Sequence, residues 1–347
     1  MFVYWALFLV PAMASAVPAR LDSQSRRIML FVAGLALSAI IGLRYEVGRD
    51  WNNYVSVFDR VVAEPFWALF LQEEPAYGLL AWTSERLGLG IYGANFACAA
   101  VLVYGLMSFC WRQPSPWRTL AFAMPVLVIG IGMSGMRQAT AIGFLMLAMN
   151  AFTDGRLRGF IFWVLLAVPF HQTAAAFLPL AWFMRSRIAL LPVIVAGGIF
   201  VLLGIFVLKD SVNYYTESYL KQSPEANGAL PRVALNVLAA VTFLVFRKEW
   251  TRRYSEGTLF TLLAFAAVPM AAAVFMAPVA ADRMSMYLIP FQIAVFSRLP
   301  EFVRTPAMKF ATATAILVLY ALTLGIWLSF SKVAQSNWLP YQSILWG

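Results

Sequence analysis

The sequence predicts an all-α polytopic membrane protein of about twelve transmembrane helices, an estimate that follows from the number of apolar runs long enough to cross a bilayer. Three observations carry it. Hydrophobic residues make up 62% of the 347 residues and charged ones only 12%, with mean hydropathy +0.75, whereas soluble domains carry about 25% charged residues. The charges come in short clusters, such as Arg20 to Arg27, Arg112 to Arg118, Arg247 to Arg253 and Arg298 to Lys309. Between those clusters the chain is apolar over spans of membrane length.

In chain order the apolar segments are 2–18, 28–43, 91–110, 119–134, 135–152, 159–171, 172–184, 188–208, 231–246, 258–278, 284–299 and 310–330. Starting outside and alternating sides, the clusters at Arg20, Arg112, Arg156, Arg185, Arg247 and Arg298 fall in the cytoplasm. Sixteen of the 26 Lys and Arg are then inside, in keeping with the positive-inside rule. The net charge of +10 is therefore a topology signal rather than a nucleic-acid footprint, since the basic residues flank apolar segments singly or in pairs. Ala14-Ser15-Ala16 resembles a signal-peptidase site, but the first basic residue, Arg20, follows the apolar stretch instead of preceding it, which favours an anchored first span.

The chain reads as a single integral membrane domain, 1–347, with two polar interruptions. The first, 44–90, is an external loop: Val55 to Leu71 has the spacing of a helix lying at the membrane surface, and Tyr77 to Leu89 is short and carries Glu85 and Arg86, so it dips in or caps the bundle. The second, 209–231, carries Tyr214, Tyr215 and Tyr219 ahead of an Asn227-Gly228 turn. Cys98 and Cys110 are twelve residues apart along one apolar segment, out of disulfide reach, and are expected to be free thiols.

Ten basic residues run against the charge bias on the external side: Arg44, Arg49, Arg60, Arg86, Arg137, Lys209, Lys221, Arg232, Arg283 and Lys332. A charge held near membrane depth costs about 2.5 to 3.5 kcal/mol on insertion scales and is usually kept for a partner or ligand. Arg137 stands out. Gly130, Gly132, Ser134 and Gly135 end one helix and turn tightly, which puts Arg137 and Gln138 in the first turn of the next. Free backbone N–H groups, the positive helix end and a guanidinium together suit a phosphate or pyrophosphate; the bland alternative is an arginine that snorkels to headgroups. The stretch Arg44-Tyr-Glu-Val-Gly48-Arg49-Asp50-Trp51-Asn-Asn-Tyr54 mixes cations, carboxylates and aromatics in a way that suits a sugar and its phosphate, although an interfacial aromatic belt would also explain Tyr45, Trp51 and Tyr54. His171 follows Pro169-Phe170 at a break between two apolar segments, and serves either as a general base or orienting group or as a packed, hydrogen-bonded residue. Asp282-Arg283 with Tyr287 forms another anion-binding edge or an internal ion pair. The sequence contains no Gly-rich nucleotide loop, no Gly-x-Ser-x-Gly elbow and no His-Glu-x-x-His, and no Cys or His cluster has metal-ligand spacing. No cofactor and no metal are expected.

Taken together and in order, Arg44-x3-Gly48-x-Asp50-x3-Tyr54, Arg137-Gln138, His171-x-Thr173 and Arg283-x3-Tyr287 resemble the EpsG-like branch of the Wzy polymerases, over about residues 28 to 330. That resemblance implies a fold related to the GT-C-like glycosyltransferases that use lipid-linked sugars. It also implies transfer of a growing glycan from undecaprenyl pyrophosphate to a hydroxyl of the next lipid-linked repeat, on the periplasmic or outer face of the bacterial inner membrane. The expected roles are Arg137, Arg44, Arg49, Gln138, Arg283 and Tyr287 at the pyrophosphate, His171 or Asp50 at the acceptor proton, and Trp51, Tyr54 and Tyr215 at the sugar. Implied partners are undecaprenyl-pyrophosphate-linked oligosaccharides, membrane lipids, a chain-length regulator and a flippase; nucleic acid is not among them. The rivals are a lipid-linked glycan flippase, which should show paired halves and charges running to the cytoplasmic side, a glycan ligase of the same chemistry, and a membrane acyltransferase.

Overall fold

The computed structural model describes residues 1–16, 22–184, 229–276 and 278–345. Among the described residues the chain is helical throughout and contains no strand. Four helices are long and apolar enough to cross a membrane, or five if a pair bent by 77° is taken as one span. Each predicted apolar segment within these residues coincides with a helix or a run of consecutive helices; segment 188–208 and the 209–231 loop lie outside the described residues, apart from the loop's last positions. Several of the described helices are shorter than a span, so four or five crossings are shown and not the expected twelve; the fold is that of a multi-pass helical membrane protein.

The helices divide into two compact units. The first comprises Met1–Leu147, Leu166–His171 and Val303–Gly347. It opens with α1 (Phe2–Ala16) and α2 (Ser23–Gly42), whose start is capped by the Asp22 carboxylate accepting from the Gln24 and Ser25 amides, the usual way to satisfy orphan N–H groups at a helix start. The 44–90 segment holds two helices. α3 (Trp51–Ala63) buries Trp51, Tyr54, Phe58 and Val61, a spacing that lines one helical face. It begins four residues before the expected Val55 and stops ahead of Pro65, which cannot donate into a helix. After the tight turns of Phe66–Leu71 comes α4 (Pro75–Arg86), with proline at its first position. α5 (Gly90–Trp111) packs against α2.

α6 (Pro116–Ala123) runs into Met124–Gly132, where Pro125 lacks an N–H and the hydrogen-bond register widens to π-type turns. α7 (Met136–Thr153) follows the glycine turn and crosses α5 so closely that a Cβ on Gly105 would lie 2.1 Å from the Gly143 carbonyl oxygen. Such small-residue crossings suit helices in lipid, where packing rather than hydrophobicity drives association. The long α14 (Pro306–Phe330) buries Ile316, Tyr320, Leu324 and Leu328 along one stripe and exposes Phe310, Val318, Leu322 and Phe330 along another, while Tyr320 stacks on Phe122. Beyond α15 (Lys332–Asn337) the chain returns to the end of α2. Ile344 N and Ser343 Oγ donate to Leu43 O, Tyr341 Oη to Ile40 O, and Trp338 Nε1 to Ile129 O.

The second unit comprises Ala148–Leu165 and Gln172–Phe302. It contains the rest of α7, most of α8 (Leu157–Ala167), the tight helix Gln172–Met184, α9 (Ala229–Val245), the short basic α10 (Arg247–Arg253), α11 (Gly257–Met276), α12 (Pro278–Ser285) and α13 (Ile289–Arg298). The expected span 284–299 is broken at Met286–Leu288. At one end Arg298 pairs with Glu256, both almost fully buried, and its guanidinium lies 4.1 Å from the Tyr254 ring and 5.5 Å from that of Trp250. Trp250 stacks on Phe302. Leaving one member of a buried pair alone costs about 3–5 kcal/mol, whereas replacing both with apolar residues is often neutral. Glu256→Ala is therefore expected to lower the melting temperature of the purified protein in detergent more than the double change Glu256→Leu with Arg298→Met; equal losses would mean that the aromatic packing, not the pair, holds this end.

Candidate functional site

The site of the first unit is built where α2 ends. Arg44 is buried, and its guanidinium serves backbone: Nε donates to Val47 O and Met133 O at 2.9 Å each, and Nη1 to Ile41 O at 2.6 Å. Burial pushes it down to about 10, so it keeps its proton at neutral pH. One side chain thus ties the end of α2, the 43–50 turn and the turn before α7 together. Gly48, at φ +104°, lets the first turn press on the second; a Cβ there would sit 1.9 Å from Met133 O.

That contact aligns the next layer. Asp50 Oδ2 accepts from Ser134 Oγ at 2.9 Å. Trp51 is buried against Tyr92, Tyr45 and the Arg44 guanidinium. Tyr54 points its hydroxyl at the start of α7, where it accepts from Arg137 N at 3.0 Å, and the Arg137 guanidinium lies 5.7 Å from its ring. Burial raises the Tyr54 hydroxyl, with the neighbouring Arg137 opposing, and the group stays a neutral phenol. Tyr77 packs edge-on to Tyr54 at 5.2 Å, and its buried hydroxyl has no hydrogen-bond partner among the described residues.

The centre of the cluster is a residue that the sequence did not single out. Glu74, just ahead of α4, joins Arg137 Nη1 through Oε2 at 2.7 Å and contacts His171 Nδ1 through Oε1. The backbone fixes this meeting: Ala76 N donates to Pro169 O at 3.1 Å, and Phe170 N and His171 N both turn back to Ala167 O. Asp50, Tyr54, Arg137 and His171 are thus gathered as one polar cluster, with Glu74 and Tyr77 added. The one signal for Glu74 was an acid placed directly before Pro75 in the pair Glu73-Glu74.

Arg49 is exposed, and Gln138 is buried in the first turn of α7. In the second unit Thr173 and Tyr287 share a hydroxyl–hydroxyl bond of 2.6 Å, and Arg283 lies half-buried in the last turn of α12. The Asp282 carboxylate is gripped by both arms of Arg232, at 2.6 and 2.7 Å. Tyr215 lies outside the described residues.

Residues 27–343 match the EpsG family. The chain belongs to the EpsG family. The match reaches past α14 into the segment that returns to Leu43, so it takes in the Arg44 turn, the Arg137 turn and the C-terminal segment bonded to the end of α2. EpsG membership, together with the apolar helices, makes this a multi-pass membrane protein with a polysaccharide-polymerase type of function. Among curated proteins and among solved structures nothing matches the chain.

Proposed function

We propose that this EpsG-family protein is a bacterial polysaccharide polymerase. It transfers a growing glycan from undecaprenyl pyrophosphate to the next lipid-linked repeat on the outer face of the inner membrane, as a glycosyltransferase of about twelve spans with a GT-C-like arrangement and no metal requirement. The observation that carries the reading is the joining of Arg137, at the N-terminus of α7, to His171 through Glu74. Anion binding and proton acceptance are the two tasks that this reaction needs.

The donor arrives with its leaving group already activated, because pyrophosphate departs as a stable anion. The Arg137 guanidinium, at the positive end of α7, meets the charge that develops on its bridging oxygen, with Gln138 alongside; the amides of Met136, Arg137 and Ala139 are already taken by Ser134 O, Tyr54 Oη and Gly135 O. The acceptor hydroxyl forms its bond to the anomeric carbon as the carbon–oxygen bond to pyrophosphate breaks, and its proton passes to His171. Asp50 is the less suitable base, since its carboxylate already accepts from Ser134. Arg44 enters as the residue that holds the turns in place, and Trp51 and Tyr54, both buried, support the cluster from behind rather than stacking on the sugar. The exposed Phe66, Trp67, Phe70 and Leu71 suit contact with the lipid that carries the substrate.

Deleting the gene in its host and analysing surface and lipid-linked glycan by gel and mass spectrometry tests the reading. Single repeats that reach the outer face and never lengthen are expected. Repeats stranded on the cytoplasmic face would instead make the protein a flippase, and full-length polymer that stays on its lipid would make it a ligase.

A further inference from the structure

Glu74 does not do what its position favours. It is the residue that precedes the first turn of α4, where a carboxylate normally accepts from the helix amides, yet it makes no capping bond. Its oxygens are turned to His171 on one side and Arg137 on the other. The carboxylate is 10% exposed, His171 14% and Arg137 33%, so the most accessible member of the trio is the cation. An incoming anion therefore meets Arg137 first, and competes with Glu74 for it.

We infer that Glu74 is a positioning residue with two duties: it holds Arg137 in place until a pyrophosphate group takes over the guanidinium, and it keeps His171 in the tautomer that reacts. The inference rests on the polymerase reading for its chemistry. A carboxylate beside Nδ1 accepts the proton carried there, which leaves Nε2 as the lone-pair nitrogen. When the acceptor hydroxyl gives its proton to Nε2, the imidazolium stands next to a carboxylate that the anion has freed from Arg137. The proton leaves His171 afterwards for solvent or the departing pyrophosphate, which returns the dyad to its starting state. One carboxylate thereby links occupancy of the anion site to support of the base.

Glu74→Gln separates the two duties from mere packing, because glutamine keeps the size of the side chain and removes its charge. The purified full-length protein in detergent is titrated with inorganic pyrophosphate by calorimetry, and the same variants are scored for polymer in the host. Glu74→Gln is expected to bind pyrophosphate about tenfold more tightly, having lost the competing charge. Its polymer output is expected to fall by about 100-fold or more, from the lower end of what a positioned base contributes. Glu74→Asp should restore part of the output, and Arg137→Ala should not bind pyrophosphate measurably. Opposite effects on binding and output are beyond a purely structural role. Weaker binding together with lower output in Glu74→Gln would overturn the inference, as would normal polymer. The polymerase reading fails by a different result, full-length polymer in the deletion strain, so the two are told apart.

Discussion

Arg137→Ala abolishes polymer while the protein remains in the membrane at normal level: this is the expected result, measured by glycan gel and by immunoblot of the membrane fraction. Loss of one preorganised charge partner at a developing oxyanion costs about 10²- to 10³-fold in rate, or roughly 2.7–4 kcal/mol. Here the loss is compounded, because Glu74 is left as a nearly buried carboxylate facing the place proposed for the same anion. The architecture should survive. The bond from the Arg137 amide to the Tyr54 hydroxyl is made by backbone, and alanine retains it. Arg137→Lys keeps the charge but not the planar fork that grips two oxygens, and about one-tenth of the output is expected to remain, in line with a loss of roughly 1.4 kcal/mol. Full-length polymer in Arg137→Ala would remove the residue from the site.

The sequence made the helical segments visible because each apolar run must satisfy its own backbone in lipid, and composition alone reports such runs. It was less informative where backbone carbonyls do the holding. Trp338, Tyr341 and Ser343 bond to Ile129 O, Ile40 O and Leu43 O, acceptors that every sequence offers at every position. Nothing in the residue types there distinguishes a segment folded back on the end of α2 from an interfacial belt. The break at Met286–Leu288 was hidden for a similar reason, since an interrupted helix and a continuous one share the same apolar composition.

The site divides along the same line. Arg137, Asp50, Tyr54 and His171 were legible as polar side chains kept in an apolar chain, and the Gly130-to-Gly135 turn announced the helix start that carries Arg137. Arg44 was legible as a cation at a membrane edge, but not its partners, which are the carbonyls of Ile41, Val47 and Met133. Glu74 left only a faint trace, an acid directly before Pro75. An acid in a polar loop is ordinary until the fold brings the chain near Pro169 against it, and a contact spanning nearly a hundred residues leaves no periodic trace.

Gly48→Ala is expected to have an effect as large as the loss of Arg137, by an architectural route. At φ +104° an alanine is strained, and that alone costs about 1 kcal/mol or somewhat more. The larger cost is contact. The added Cβ would lie 1.9 Å from Met133 O, 2.9 Å from Met133 C and 3.2 Å from Ser134 Cα. All three are backbone atoms, so no rotamer change relieves them and the 43–50 turn must lift off the 133–135 turn. Lifting it breaks the Arg44–Met133 and Asp50–Ser134 bonds and releases the start of α7 that holds Arg137. A destabilisation of more than about 3 kcal/mol is expected for such overlap with backbone. Gly88 supplies the comparison, because it also has a positive φ, +72°, but a Cβ there meets nothing within 4 Å. Gly88→Ala should therefore show only the strain, with polymer near normal and a small drop in melting temperature in detergent. If the two variants melted alike and both made polymer, the close approach of the Gly48 turn to Met133 would not be what holds the site together.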